Sequence, residues 1–137
     1  MGMPRRSNVF PLDSSGSIIP VDVLLEGPAG KQLVRMALDT GATYTMAPVS
    51  AVQAIGCDPA DATSRIEFVA AGSIEYRPLI TILAAQAFGV RVPQLPVVCH
   101  DLPPESPVRG LLGLNFLKHL RLLLDFPSQT LKISKKR

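Results

Sequence analysis

The stretch that decides the fold is ALDTGATYTMAP, residues 37–48. Small apolar residues run directly into Asp39, Thr40 and Gly41, and apolar and hydroxyl residues follow. A strand that ends in such a turn places a carboxylate at the end of a rigid element, and the glycine lets backbone amides approach it closely. Aspartate and glycine are also common turn residues after strands, so the motif taken alone is weak evidence for a catalytic site.

The composition indicates one soluble domain. Of the 137 residues, 47% are apolar and only 5% are aromatic, which suits a single core built from Leu, Ile, Val and Ala. No apolar run approaches the ~20 residues of a transmembrane helix, and the first residues lack the apolar stretch of a signal peptide. We therefore expect a cytoplasmic protein with no membrane partner.

The charge distribution and the cysteines argue against several further classes of partner and cofactor. The net charge of +3 lies largely at the two chain ends, where no aromatic platform or recognition helix accompanies it, so a solvated end is favoured over a nucleic-acid partner. Cys57 and Cys99 lack the spacing of a disulfide framework, and neither they nor His100 and His119 form a metal-ligand pattern. We expect free thiols, no metal and no other cofactor.

Short strands separated by turn residues dominate the chain. The predicted strands are residues 17–25, 32–38, 65–70, 74–82, 87–92, 95–99, 121–126 and 130–134. The first two, the third and fourth, and the last two read as hairpins, and prolines separate the remaining pair. Two short helices are predicted at 49–55, after a proline and before a glycine, and at 114–120.

A second motif, RGLLGLNFLKHL at residues 109–120, feeds the second helix. The order of strand, Asp-Thr-Gly-Ala, glycine-tipped hairpin, and then two large apolar residues and a glycine before a helix closely resembles the retropepsin-type aspartic proteases. The resemblance covers about residues 17–134. Because the chain continues past the second helix as a hairpin, it is most similar to the bacterial and DNA-damage-inducible cellular single-domain members.

The resemblance implies an all-β fold, namely a retropepsin-like closed β-barrel of the kind that forms half of an acid protease, with one or two short helices and assembly as a homodimer. It divides the chain into a flexible N-terminal segment at 1–16, a protease domain at 17–134 and a basic tail at 135–137. The site residues that it implies are catalytic Asp39, with Thr40, Gly41 and Ala42 supporting the active-site loop; Ala70, Ala71, Gly72 and Ser73 in a substrate-binding flap; and Leu111, Leu112, Gly113 and Asn115 as structural support.

The chemistry of this family needs two carboxylates, and the chain offers one such motif. Asp13 is followed by Ser-Ser-Gly without a preceding apolar strand, and Asp125 is followed by Phe-Pro, so neither supplies a second half. The resemblance therefore implies that Asp39 meets its own copy across a twofold axis and that the pair shares one proton. The expected reaction is hydrolysis of an extended polypeptide by water, with the second copy and the substrate as the only partners.

Two departures from relatives carry expectations of their own. Ala42 supplies no hydroxyl where the pepsin-like branch commonly carries one, so the ionised pair has fewer donors and a mildly acidic optimum nearer neutrality than pepsin's is predicted. Thr43 and Tyr44 stand where viral members often carry acidic residues that pair with an arginine of the other subunit. That ion pair is not expected here.

A second hypothesis remains open beside the endopeptidase. The chain is then a catalytically silent module that keeps the retropepsin fold and uses the same groove to hold a peptide or to dimerise. The intact Asp39-Thr40-Gly41 motif favours the enzyme.

Overall fold

Ten strands and two short helices make up the protein, whose computed structural model describes residues 7–135. The strands are β1 Ser7–Pro11, β2 Pro20–Gly27, β3 Gly30–Leu38, β4 Thr45–Ala47, β5 Ser64–Ala70, β6 Ser73–Ala87, β7 Val90–Cys99, β8 Gly110–Leu112, β9 Leu120–Asp125 and β10 Thr130–Lys135. The helices are α1 Val49–Ala54 and α2 Leu114–Leu117, and Pro59–Asp61 forms a 3₁₀ turn. No helix in this described part is long and apolar enough to cross a membrane.

Six strands close into a barrel. They follow the order β2, β3, β8, β4, β7, β6, and β6 pairs back with β2 through Leu24–Gln86, Leu25–Ala85 and Glu26–Ala84. The inward positions of β2 alternate with outward ones, so that Val21, Val23 and Leu25 are buried while Asp22 is exposed. The expected mostly-β closed barrel with two short helices is confirmed.

Strand β8 lies between β3 and β4, the two strands that flank residues 39–44. It runs parallel to β3, with Leu38 beside Leu112, and antiparallel to β4, with Met46 beside Leu111. The passage is narrow, because a Cβ on Gly110 would collide with the carbonyl oxygen of Met46. Glycine at this position therefore lets the strand thread between its neighbours.

The β5–β6 hairpin extends beyond the barrel. Its tip is a two-residue turn in which Ala71 and Gly72 have φ of 49° and 81°, the left-handed geometry of a tight hairpin turn. Strand β6 has 15 residues, and its outer part pairs with β5 while its inner part pairs with β7. The predicted hairpin is confirmed, with Ser73 already in the strand.

The prediction of a separate short strand at 87–92 is wrong. Ala87 ends β6, and a turn at Phe88 and Gly89, with φ of 55° and 73°, leads into one continuous strand β7. This strand tolerates Pro93 and Pro96 because β4 pairs only with its last residues, Val97–Cys99, which leaves one side of the proline-containing part without a backbone partner in the sheet.

The N-terminal part corrects a second expectation. Residues 1–16 were expected to be flexible, but Ser7–Pro11 forms β1 and pairs with β10, which also pairs with β9. The rings of Phe10 and Phe88, whose centroids lie 5.3 Å apart, pack this sheet against the barrel. The first six residues and the last two of the expected basic tail lie outside the described residues.

The second helix is shorter than expected. It was predicted at 114–120, but α2 ends at Leu117 and β9 begins at Leu120. This single turn buries Phe116 and Leu117. The apolar residues that suggested a longer helix are therefore divided between a short helix and the strand that follows it. The closing hairpin of β9 and β10 is as predicted.

The two cysteines are free and differ in burial, and this difference predicts their reactivity. Cys99 lies in the core, where burial, helped by the Cys57 thiol, raises its pKa to about 11; burial also raises the pKa of the half-buried Cys57. The thiolate is the nucleophile, so Cys99 should react with iodoacetamide at least about tenfold more slowly than Cys57 at a pH of about 8.5. Mass spectrometry of the alkylated peptides measures this, with urea-unfolded protein as the control in which both react. Equal rates in the folded protein would contradict the burial of Cys99.

Candidate active site

Asp39 stands at the end of β3, where the barrel opens. Its backbone N–H donates to the carbonyl oxygen of Leu112 at 3.0 Å, which continues the β3–β8 pairing by one residue. Its carboxylate oxygen Oδ1 accepts the N–H of Gly41 at 2.8 Å, and its carbonyl oxygen accepts the N–H of Ala42 at 3.3 Å. The loop therefore turns around the carboxylate and holds it by a backbone donor.

The loop is also held from behind by the start of α2. The N–H of Leu114 donates to the carbonyl oxygen of Ala42 at 2.8 Å, and the N–H of Asn115 donates to that of Thr43 at 3.3 Å. These two backbone donors belong to the first turn of the helix, which lacks helical acceptors for them. A Cβ on Gly113 would lie 2.6 Å from the carbonyl oxygen of Tyr44, so glycine is needed for this approach.

A hydrogen-bonded pair, the buried Thr45 and the partly buried Asn115, joins the two motifs of the sequence. The backbone N–H and the hydroxyl of Thr45 both donate to Oδ1 of Asn115, each at 2.9 Å, and the N–H of Gly113 donates to the Thr45 hydroxyl at 3.1 Å. The Asn115 side-chain amide then donates to the carbonyl oxygen of Pro96 at 2.7 Å. Thr45 is fully buried, and every polar atom of this pair has a partner.

Sequence reasoning named Asn115 but missed Thr45. The signal was present, because Thr45 is a polar residue at the start of the otherwise apolar strand β4. A hydroxyl at an inward position of a barrel strand calls for an internal partner.

A cleft of about 360 Å³ opens beside Asp39. One wall comes from β5, through Ile66 and Phe68, and Leu111 of β8 also lines the cleft. The full lining is Asp39, Gly41, Ala42, Thr43, Tyr44, Met46, Ile66, Glu67, Phe68, Val98 and Leu111. The Asp39 carboxylate beside a mostly apolar groove is an arrangement that can hold an extended apolar segment next to an acid–base group.

The predicted site residues divide into those that meet in this cleft and those that do not. Leu111 lines it, whereas Leu112 and Gly113 are buried behind the loop. Thr40 is exposed, and so are the hairpin-tip residues Ala71, Gly72 and Ser73, none of which lines the cleft. The hairpin thus contributes the middle of its first strand to the wall rather than its tip.

Asp13 and Asp125, which lie outside the Asp-Thr-Gly motif, have structural partners. Asp13 accepts the Ser15 hydroxyl at 2.6 Å and the Ser15 N–H at 3.1 Å, and these bonds lower its pKa. Asp125 accepts the N–H of Ser128 in the turn between β9 and β10. Neither lines the cleft, whose other carboxylate belongs to the exposed Glu67 of β5. Because Glu67 is not part of an Asp-Thr-Gly turn, Asp39 is the candidate catalytic carboxylate.

A larger cavity of about 470 Å³ lies between the loop 101–109 and the start of α1. Its charged groups are already engaged, because the Asp101 carboxylate accepts the N–H of Val49 and the Arg109 guanidinium donates to the Ser50 hydroxyl. Among residues 7–135, no group of three or more His, Cys, Asp or Glu side chains is placed to hold a metal ion.

Comparison with known proteins agrees with this geometry. Residues 26–119 match the family described as "gag-polyprotein putative aspartyl protease", which spans more than half of the chain. The chain belongs to this family of retropepsin-type aspartic proteases. Its fold is similar to the crystal structure of a retropepsin-like aspartic protease from Rickettsia conorii, with a TM-score of 0.71 over 95% of this chain and 91% of that one, at 14% identity. No curated protein sequence matches the chain.

The buried Thr45 hydroxyl should contribute measurably to the stability of this retropepsin-type domain. Thr45→Val keeps the shape but leaves the Gly113 N–H without its acceptor and Asn115 without one donor, so the free energy of unfolding should fall by about 1–3 kcal/mol. Thr45→Ser keeps the hydroxyl and should cost about 1 kcal/mol or less. Urea unfolding of the three proteins measures both values. A valine variant as stable as the serine variant would show that these bonds contribute little.

Proposed function

We propose that this chain is one half of a homodimeric aspartic endopeptidase, with one Asp39 from each subunit in a shared active site. The observation that carries the proposal is the Asp39 carboxylate, held by its own loop at the mouth of an apolar cleft, in a chain that has a single Asp-Thr-Gly motif. Family membership supports the reaction class. A C2 dimer is the simplest assembly that supplies the missing partner.

The chemistry follows from two carboxylates brought close together. Like charges at short distance do not both ionise readily, so the pair holds one proton. The ionised Asp39 removes a proton from a water molecule, which attacks the peptide carbonyl carbon, while the protonated Asp39 donates to the carbonyl oxygen. No covalent intermediate with the enzyme forms.

Two features of the surface support the dimer. Thr40 is exposed beside Asp39, where its side chain is free to meet a partner's loop. The outer face of the sheet formed by β1, β10 and β9 carries Val9 and Leu123, 62% and 57% exposed, in register on either side of Lys132. We propose that the closing hairpin of β9 and β10 takes part in the interface, because an exposed apolar pair on an edge sheet gains free energy when a second copy covers it.

The substrate class follows from the cleft and the hairpin. An extended polypeptide fits an open groove between sheet elements, and the apolar lining favours apolar side chains around the cleaved bond. At the hairpin tip the cross-strand pair Val69 and Ile74 is 75% and 59% exposed. We propose that residues Ala70–Ser73 and this pair act as a flap, which closes over bound peptide and excludes water.

Asn at position 39 keeps the shape of the side chain and removes its acid–base function. Asp39→Asn should abolish cleavage of a denatured protein at mildly acidic pH, and a statine-type peptide should inhibit the parent protein. Peptide release measured by mass spectrometry reports both results, and unchanged thermal unfolding of the variant confirms that its fold is intact. Equal cleavage by the parent and the variant would remove the endopeptidase proposal.

Subunit mixing tests whether the site is shared. If each subunit supplies one carboxylate, refolding the parent with a ninefold excess of Asp39→Asn should lower the activity to about a tenth, because most parent subunits then pair with an inactive copy. A parent mixed with the same excess of serum albumin is the control. Undiminished activity would show that a single chain is sufficient. No cleavage in any mixture would favour a silent peptide-binding module.

The residue after the glycine offers a pH test. Ser in place of Ala42 adds a hydroxyl donor beside the carboxylates, and a donor to the ionised form stabilises it, so both limbs of the pH–rate profile should move to lower pH. The kcat/KM of a peptide measured across the acidic range checks this, with Ala42→Gly as the control that adds no donor. The role given to position 42 would be contradicted if the pH optimum of the parent protein lay near that of pepsin. It would also be contradicted if the pH–rate profile of Ala42→Ser moved to higher pH.

A further inference from the structure

The base of the β5–β6 hairpin is tied to the barrel by His100, the residue that follows β7. The Nε–H of Arg77 donates to Nδ1 of His100 at 2.8 Å. Arg77 also donates to the Glu75 carboxylate through Nη2 at 2.6 Å. Because Nδ1 accepts a hydrogen bond, the imidazole in this arrangement is neutral and carries its proton on Nε2.

This contact begins where the backbone pairing of β6 with β7 ends. The last backbone pair towards the hairpin is Leu79 with Val98, and Arg77 and His100 are two residues further on each side. Residues two apart on a strand share a face, so the side-chain bond continues the ladder beyond its last backbone pair. In the sheet, β5 pairs with β6 alone, so β6 is the strand through which the hairpin pairs with the barrel, and the His100 contact adds a side-chain attachment.

The same imidazole also touches the first strand of the hairpin. The rings of His100 and Phe68 lie with their centroids 6.0 Å apart and inclined by 32°. Phe68 lines the same cleft as Asp39. His100 therefore contacts one residue on each strand of the hairpin, and one of these shapes the space in which a substrate would lie.

We propose that His100 is a positioning residue for peptide binding. Through its hydrogen bond with Arg77 it sets the inclination of the hairpin over the cleft, and with it the place of Phe68 in the wall. This inference rests on the proposed peptide-cleaving function for its kinetic consequence, whereas the anchoring of the hairpin stands independently of turnover.

Two substitutions separate the hydrogen bond from the ring contact. His100→Asn places an amide oxygen near the position of Nδ1 and removes the ring, whereas His100→Phe keeps a ring and removes the acceptor. With the phenylalanine variant we expect KM for a peptide to rise about fivefold to tenfold with kcat within about twofold, and hairpin amides 65–79 to exchange with deuterium faster by a similar factor. With the asparagine variant we expect both quantities to stay within about twofold to threefold of the parent.

Controls come from the same chain. His119, which is exposed and lies outside the cleft, receives the same two substitutions and should leave KM and hairpin exchange unchanged. Arg77→Met removes the donor, so adding His100→Phe to it should change KM and exchange by less than about twofold. Thermal unfolding of each variant shows whether the barrel itself is affected.

The outcomes distinguish a His100 that positions the hairpin through its hydrogen bond from a His100 that only packs against it. Parent-like exchange and KM in His100→Phe, or asparagine and phenylalanine variants that are impaired equally, would overturn the proposal. Failure of the proposed function is recognised separately, because Asp39→Asn should lose cleavage and keep parent-like hairpin exchange. If no variant cleaves peptide, hydrogen exchange and the affinity for a statine-type peptide decide the role of His100.

Discussion

The structure depends on the passage of β8 between β3 and β4. This strand joins the two halves of the loop that carries Asp39, because β3 leads into the loop and β4 leads out of it. Glycines at both ends of β8 make the passage possible, since a side chain at Gly110 or Gly113 would meet the carbonyl oxygens of Met46 or Tyr44. A carboxylate on a surface turn is usually free to move. Here the strands before and after the turn, β3 and β4, are both paired with β8, which restricts the turn.

The helix that follows β8 completes this support. Its first amides bind the carbonyl oxygens of Ala42 and Thr43, and the buried pair of Thr45 and Asn115 fixes the end of the loop. The loop that carries Asp39 is therefore fastened to the strand and the helix by backbone and side-chain hydrogen bonds. This rigidity suits a site whose proposed chemistry requires two carboxylates at a fixed separation.

The opposite wall of the cleft is attached differently. Ile66 and Phe68 belong to a hairpin whose outer part pairs only with itself, and whose base is held by side chains, Arg77 and His100. The proposed flap movement requires that this hairpin moves while the loop that carries Asp39 stays in place.

The sequence by itself determined the strands with clear turn chemistry, the glycine-tipped hairpin and the two motifs, because each is a local pattern of apolar spacing, glycine and proline. It also determined the candidate carboxylate, since Asp39 is the only aspartate of the chain in an Asp-Thr-Gly turn after a strand. The sequence did not predict that β7 continues through Pro93 and Pro96, because prolines usually end strands. The strand can contain both prolines because β4 pairs only with its last residues.

Other features were decided by the tertiary structure alone. Strand β1 pairs with the edge that β10 offers, the buried Thr45 has a partner because α2 brings Asn115 to it, and Phe68 lines the cleft because the fold brings β5 and the loop after β3 together. Each of these depends on residues that are distant in the chain and meet only when the barrel closes. Local patterns specify which elements form, whereas contacts between distant residues decide which side chains the elements bring together.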